Sequence, residues 1–466
     1  MILHGRRIIY VDVEDVDESN VQEILNYALM THAINRTEIE YLYNYYKGVQ
    51  PILDRIKQVR PEINNKVVEN RANEIVSFKT GYLVGEPLQY ISTGTADADS
   101  VNRLNEYAVA EGKALRDKEL ADWFHICGTS YRMVLPDPDR ELDESPFEIY
   151  TLDPRNTFVV YSNKLGNKPV MGVRYVKDIF GNITYSCYTK TRYFEISTLG
   201  GLIRADYHVL GEIPIIEYPL NMARLGAFEI VIPLLDAINL TESDALNNIE
   251  QIVQSLLLFH NTDISSEDYE QLRDQGAIKF KDIDPQTKAE IKYITCQLNA
   301  GETQQVIDRL YESVLTICGM PNRNTGNGDN GIAVVYRDGW SAAETRAKDT
   351  EPIFKASEQV MLKILINICN TFEGMDLKVS GIDIRFTRRN YENILQKAQV
   401  LDLMLKNEKI APQLAFEYCG MFADPGLAYK TSEEYYKREV ALNGELVTND
   451  GDSQSNRNDL EARQSS

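Results

Sequence analysis

"FEIVIPLLDAINLTESDALNNIEQIVQSLLLFH", residues 228 to 260, is the stretch from which the architecture unfolds. Leu235, Ile238, Leu246, Ile249, Val253 and Leu256 mark one apolar side at helical spacing. Pro233 falls in or just before the first turn, where its missing N–H is tolerated. The spacing predicts one helix over 228–260, about 45–50 Å long at helical rise. A compact insert follows, with a helix in "SSEDYEQLRDQG", a strand in "AIKFKDI", the turn "DPQTK" and a strand in "AEIKYITCQL". A second helix, "GETQQVIDRLYESVLTICGMP", then runs on. Two long helices with a small α/β cap at their far end make a stalk with a tip.

Working outward, the N-terminal part reads helical. "SNVQEILNYALMT" starts on a Ser or Asn cap, and "RTEIEYLYNYYKG" stops on Gly48. In "NKVVENRANEIVSFKTGYLVGEPLQY" one helix face ends at Gly85 before Pro87. Near residue 130 the period falls from 3.6 towards 2. Val-, Ile-, Tyr- and Thr-rich runs from "SYRMVLPD" to "ITYSCYTKTRYFEIS", punctuated by Pro, Asn and Gly, predict an antiparallel β region. After the stalk, "SAAETRAKDTEPIFKASEQVMLKILINICN" is helical with Pro352 inside it, which predicts a kinked helix and not two helices. "LKVSGIDIRFTRR" reads as a strand, and the chain is helical again to about 441. The polar tail 443–466, without aromatics, is expected to be disordered. The fold class is α+β and mostly helical.

Composition narrows the function. The 466 residues suffice for two to four domains. No apolar run approaches a membrane span, and no secretory leader is expected from "MILHGRRIIYVDVEDVDES". Six scattered cysteines, with no C-x-x-C, point to free thiols and not to a zinc or disulfide framework. Five isolated histidines, and the lack of G-x-S-x-G, Rossmann or kinase signatures, leave no catalytic constellation, metal site or cofactor. His125 and Cys127 read as core packing. A net charge of −21 argues against tight binding of nucleic acid through counterion release.

"TGNGDNGIAVVYRDGW", residues 325 to 340, tests the remaining chemistry. Gly326 and Gly331 have P-loop spacing, but Ile332 and Ala333 stand where Lys and Ser or Thr are needed. A calcium loop fails as well, because Arg337 occupies the place of its Glu. What remains is a glycine-rich loop.

In this order, "ANEIVSFKTGYLVGEPLQY", "YTLDPRNTFVVYSN", "LGEIPIIEYPLN" leading into "FEIVIPLLDAINLTESDALNNIEQ", the glycine loop with its long helix, "IDIRFTRRN" and "KNEKIAPQLAFEYCGMFADPGLAYKTSEEYYKREV" resemble portal proteins of tailed double-stranded-DNA bacteriophages. The likeness is to the family from long-tailed phages of Gram-positive hosts and spans roughly residues 20–440. The resemblance implies a homo-oligomeric ring, twelve in the virion, at one capsid vertex. Through it DNA is packaged and ejected. Implied partners are terminase, head-completion (adaptor) proteins, and major capsid and scaffolding proteins, with no membrane. The implied location is the virion, and the host cytoplasm during assembly. It also implies an N-terminal arm (1–19), a wing (20–227, completed by 340–390), stem helices (228–260 and 298–323) around a clip (261–297), and a tunnel loop (324–339). The kinked helix (340–370), a wing strand (371–390) and a crown (391–442) follow. Asn324, Gly326, Asn327, Gly328, Asp329, Asn330, Gly331, Val334 and Val335 are then the candidate channel residues. They offer backbone freedom and little positive charge to passing phosphates. Lys279, Lys281, Lys288 and Lys292 in the clip either meet phosphates or a partner, or guard an edge strand. Arg388 and Arg389 either contact DNA or a subunit, or cap a solvated strand end. The competing readings are a carboxylate-dependent DNA-processing enzyme and an interaction protein that forms no ring.

Overall fold

The computed structural model describes residues 4–93, 97–141, 144–253, 256–260, 267, 270, 290–294, 300–322, 339–387, 394–422 and 425–438. The two runs near the N-terminus fuse into one helix, α1 (Val21–Tyr46), which stops at Gly48 in the left-handed region. Helices α2 (Arg71–Val84), α3 (Ala98–Ala110) and α4 (Lys113–Cys127) follow.

The β region divides into two sheets. A six-stranded sheet runs in the order β1 (Ile9–Val11), β5 (Thr157–Ser162), β6 (Pro169–Lys177), β7 (Ile183–Tyr188), β8 (Arg192–Ser197), β9 (Gly201–Tyr207). It is antiparallel as expected except at β1, which the N-terminal arm adds parallel to β5. The first half of α1 covers it, burying Val21, Ile24, Leu25 and Ala28 with Phe158, Met171 and Phe194. The second sheet joins β3 (Thr129–Pro136) to β4 (Phe147–Leu152) and β10 (Ile215–Pro219). Far along the chain, β13 (Ile382–Arg385) returns to pair with β2 (Gln89–Ser92).

The stalk differs from the expectation. A 3-10 turn, Glu229–Val231, leads into α5 (Ile232–Val253), about 33 Å long at helical rise. The helix expected over 228–260 therefore ends early. Leu256–His260 is strand β11, antiparallel to β12 (Glu290–Ile294). A continuous apolar run such as "LLLF" suits a helix or a strand equally, and periodicity cannot separate them. Pairing with β12 decides. The expected strand at "AIKFKDI" lies outside the described residues, as does the tail.

The polarity of α5 also inverts past Ile238. Leu235 and Ile238 are buried, but Leu246 and Ile249 are 44% and 46% exposed, while Asn239, Ser243 and Asn247 are buried. The cause is the segment before α2. The backbone N–H groups of Asn65, Val67 and Glu69 donate to Asn247 Oδ1 (2.7 Å), Ser243 Oγ (2.9 Å) and Asn239 Oδ1 (2.8 Å). Two residues of extended chain and four of helix both advance about 6 Å, so alternate amides match every fourth side chain. Asn247→Leu would improve the apolar pattern of α5 yet strand the Asn65 N–H. It is expected to cost about 1–3 kcal/mol in urea denaturation.

The second stalk helix is α6 (Ala300–Cys318). Its Ile307, Val314 and Leu315 share a core with Val231, Leu235 and Ile238 at the start of the stalk and with Ile39 and Leu42 of α1. Helix α7 (Trp340–Glu373) runs unbroken through Pro352, which sits on its exposed side. Its second half is buried against α3, α4 and the smaller sheet. Helices α8 (Ile394–Leu405), α9 (Pro412–Tyr418) and α10 (425–438) end the described chain.

Candidate nucleic-acid interface and its supporting frame

Asn324, Gly326, Asn327, Gly328, Asp329, Asn330, Gly331, Val334 and Val335 lie outside the described residues, as do Lys279, Lys281, Lys288, Arg388 and Arg389. Lys292 is on β12, in register with Leu258 of β11. What the structure describes is the frame that holds residues 323–338 at both ends.

At the entry, α6 closes in a Schellman motif. Gly319 N–H donates to the Thr316 carbonyl (3.2 Å), and Met320 N–H to the Leu315 carbonyl (2.8 Å). Gly319 takes φ +65°, and the Arg346 side chain of α7 lies so close over it that a Cβ would stand 2.7 Å from Arg346 Cγ. At the exit, Gly339 is the N-cap of α7 with φ +83°. A Cβ on Gly339 would stand 3.4 Å from the Met320 carbonyl oxygen and 3.5 Å from Pro321 Cα. The two ends of the segment thus meet at one point.

Aromatic side chains brace that point. The Trp340 ring lies 6.0 Å from Phe78 and 6.2 Å from Tyr82, which stack on each other at 5.7 Å. Tyr82 donates to Glu344 Oε2 (2.9 Å). Lower on α6, Tyr311 donates to Glu74 of α2 and lies under the Arg71 guanidinium at 4.0 Å. Tyr45 of α1 donates to Asp236 of α5 (2.8 Å).

Two buried ionic clusters fix the frame to the sheets, and the sequence reading missed both. In the first, Glu358 of α7 accepts from Tyr90 (2.7 Å), Tyr218 (2.7 Å), Lys113 (2.8 Å) and Arg132 (3.3 Å). Asp117 pairs with the same two cations at 2.7 and 2.6 Å. The available signal was one carboxylate on an apolar helix face, between Phe354 and Met361. In the second, Arg6 bridges Glu38 of α1 (3.1 Å) and Glu229 at the foot of the stalk (2.7 Å).

His125 and Cys127 are core residues, as expected. Burial, then the nearby Lys79 charge, hold His125 well below its ordinary pKa. Burial pushes the Cys127 thiol up to about 12. The five described cysteines are free. Among the described residues no group of three or more His, Cys, Asp or Glu could hold a metal, and no helix is long and apolar enough to cross a membrane. Acid and base are paired inside the fold, an arrangement that ties elements together.

A family model described as phage portal protein, SPP1 Gp6-like, matches residues 27–439. The portal protein of Bacillus phage SPP1 is 22% identical over 469 residues, covering 94% of this chain and 88% of that one. Among solved structures, a chain from the virion of a native gene transfer agent particle aligns over 75% of this chain and 89% of its own, with 11% identity and a TM-score of 0.43. A chain from the neck of an empty particle of that kind covers 75% and 90%, with 13% identity and a TM-score of 0.42.

Proposed function

The chain belongs to the SPP1 Gp6-like phage portal proteins, structural and non-enzymatic components of the virion, and from that premise we propose how it works. Copies close into a ring of about twelve at one capsid vertex. Double-stranded DNA passes along the ring axis during packaging and again during ejection. The tip, 261–297, receives terminase and later the head-completion proteins, while capsid and scaffolding proteins surround the ring. Assembly takes place in the host cytoplasm. Residues 324–339 form the part of each subunit that meets DNA.

The observation that carries this reading is the closed base at Met320 and Gly339. A segment whose ends meet can project as a unit, and the braced ends of α6 and α7 keep its root in place. The acidic balance of the chain, −21, suits a channel that must not hold the phosphates it passes.

Native mass measurement and negative-stain imaging of the purified chain test the proposal. The expected result is a closed ring of about twelve subunits with an axial hole of roughly 20 Å or more. A persistent monomer or dimer across salt conditions would overturn it in favour of an interaction protein without a ring. Alanine at Gly326, Gly328 and Gly331 together is expected to leave the ring intact and lower DNA packaging.

A further inference from the structure

A cavity of about 390 Å³ opens beside the closed base, between α2, the end of α6, the start of α7 and the turn that precedes the stalk. Lys79 of α2 and Arg346 of α7 both line it, and neither has an ion-pair partner among the described residues. Lys79 is partly buried. Its desolvation, with the Arg346 charge acting the same way, pushes the ammonium below its ordinary pKa. Burial holds His125 on the inner wall well below its ordinary pKa, and Asp349 lies on the exposed rim. Three large apolar side chains surround the mouth, with Met222, Ile230 and Ile317 83%, 57% and 41% exposed.

A desolvated cation without a counter-ion is unfavourable, and so is an apolar collar left in water. A free small anion would satisfy the first and leave the second. A protein surface carrying a carboxylate satisfies both, because interface cores combine apolar cover with few, paired charges. We infer that this cavity is a socket for a carboxylate side chain of a second copy of this chain, seated against Lys79 and Arg346 beneath the collar. The inference rests on the ring reading above. A cyclic ring joins two different faces of one chain, so socket and plug lie on opposite flanks. The 70 acidic residues against 49 basic ones supply the surplus carboxylates.

The test uses full-length rings assembled from a mixture of ordinary and heavy-nitrogen-labelled subunits. A carbodiimide joins an amine to a carboxylate directly, the reagent taking up the water that is lost. It is expected to yield mixed-label peptides linking Lys79 to an acid of another subunit. Acylation of Lys79 is expected to be about tenfold slower in rings than in the unassembled chain, since a carboxylate both covers the amine and keeps it protonated. Lys79→Met, which strands the partner's carboxylate, is expected to abolish the link and let rings dissociate at lower urea. Rings in which wild-type Lys79 reacts at the free rate, or couples only to its own Asp349, overturn the socket and leave the ring reading standing. A chain that never assembles overturns both. Protection of Lys79 in the unassembled chain by benzoate or inorganic phosphate, with no link between subunits, also overturns the socket.

Discussion

Glu358→Ala is expected to destabilise the folded chain by about 3–5 kcal/mol, the range for breaking a buried ion pair by removing one partner. Glu358 and Asp117 balance Lys113 and Arg132 in a site where all four side chains are at most 5% exposed. Without Glu358 two cations face one anion, and the hydroxyls of Tyr90 and Tyr218 lose their acceptor. The charges left behind would sit deep in the fold, in the same helix stretch that buries Phe354, Met361 and Leu362 in the core. The consequence reaches the function through α7. The cluster pins this helix to α4, β3 and β10, and α7 begins at the point where residues 323–338 return. Denaturant unfolding followed by tryptophan fluorescence checks the magnitude, and a loss below about 1 kcal/mol would show that the cluster adds little.

The same carboxylate gives a pH dependence. Burial alone would raise Glu358, but the Lys113 and Arg132 charges, with hydrogen bonds from Lys113 and Tyr218, outweigh it and hold the group below its ordinary 4.5. A depressed carboxyl stabilises the fold fully above its unfolded value and loses that contribution as pH falls through the folded one. Stability measured downward from pH 5 is therefore expected to fall in the wild type. It should fall less steeply in Glu358→Gln, which starts lower.

These ties explain what the sequence could and could not disclose. The change of period near residue 130, the stop at Gly48 and the unbroken helix through Pro352 are local, set by backbone sterics and side-chain spacing within one element, and each was legible. The burial of Asn239, Ser243 and Asn247 was not, because it follows from amides 170 or more residues away that need acceptors. Glu358 was hidden for the same reason, since its partners come from α4, β2, β3 and β10. The strand at Leu256–His260 was ambiguous until its pairing with Glu290–Ile294 was seen. At the candidate interface, the glycine-rich composition was plain from the residues alone. The meeting of its two ends, between Met320 and Gly339, needed the fold.

Gly128→Ala is expected to be at least as severe as Glu358→Ala, at about 3 kcal/mol or more from left-handed strain and overpacking together. Gly128 ends α4 at φ +82°, and a Cβ there would overlap the Arg224 carbonyl and stand 2.9 Å from the Leu225 carbonyl carbon. These are backbone atoms, so no side-chain rotation relieves the clash. Nor can residues 221–227 recoil freely. The Arg224 carbonyl accepts from Arg6 N–H (3.1 Å), and Ala227 N–H donates to the His125 carbonyl (2.7 Å). The Arg224 guanidinium holds Glu217 at 2.7 and 3.0 Å, and Gly226 N–H donates to Glu229 (2.8 Å). Gly112, at the start of α4, isolates the steric part. It has φ +63° but nothing within 4 Å of a built Cβ, so Gly112→Ala should cost only the conformational strain, about 1–2 kcal/mol. Comparing the two variants by soluble yield and denaturant midpoint separates strain from overlap. Equal losses would mean that the 221–227 turn yields more easily than its bonds imply. A large gap would mean that this turn is a rigid seat for the stalk, because residue 228 leads from it through the 3-10 turn Glu229–Val231 into α5.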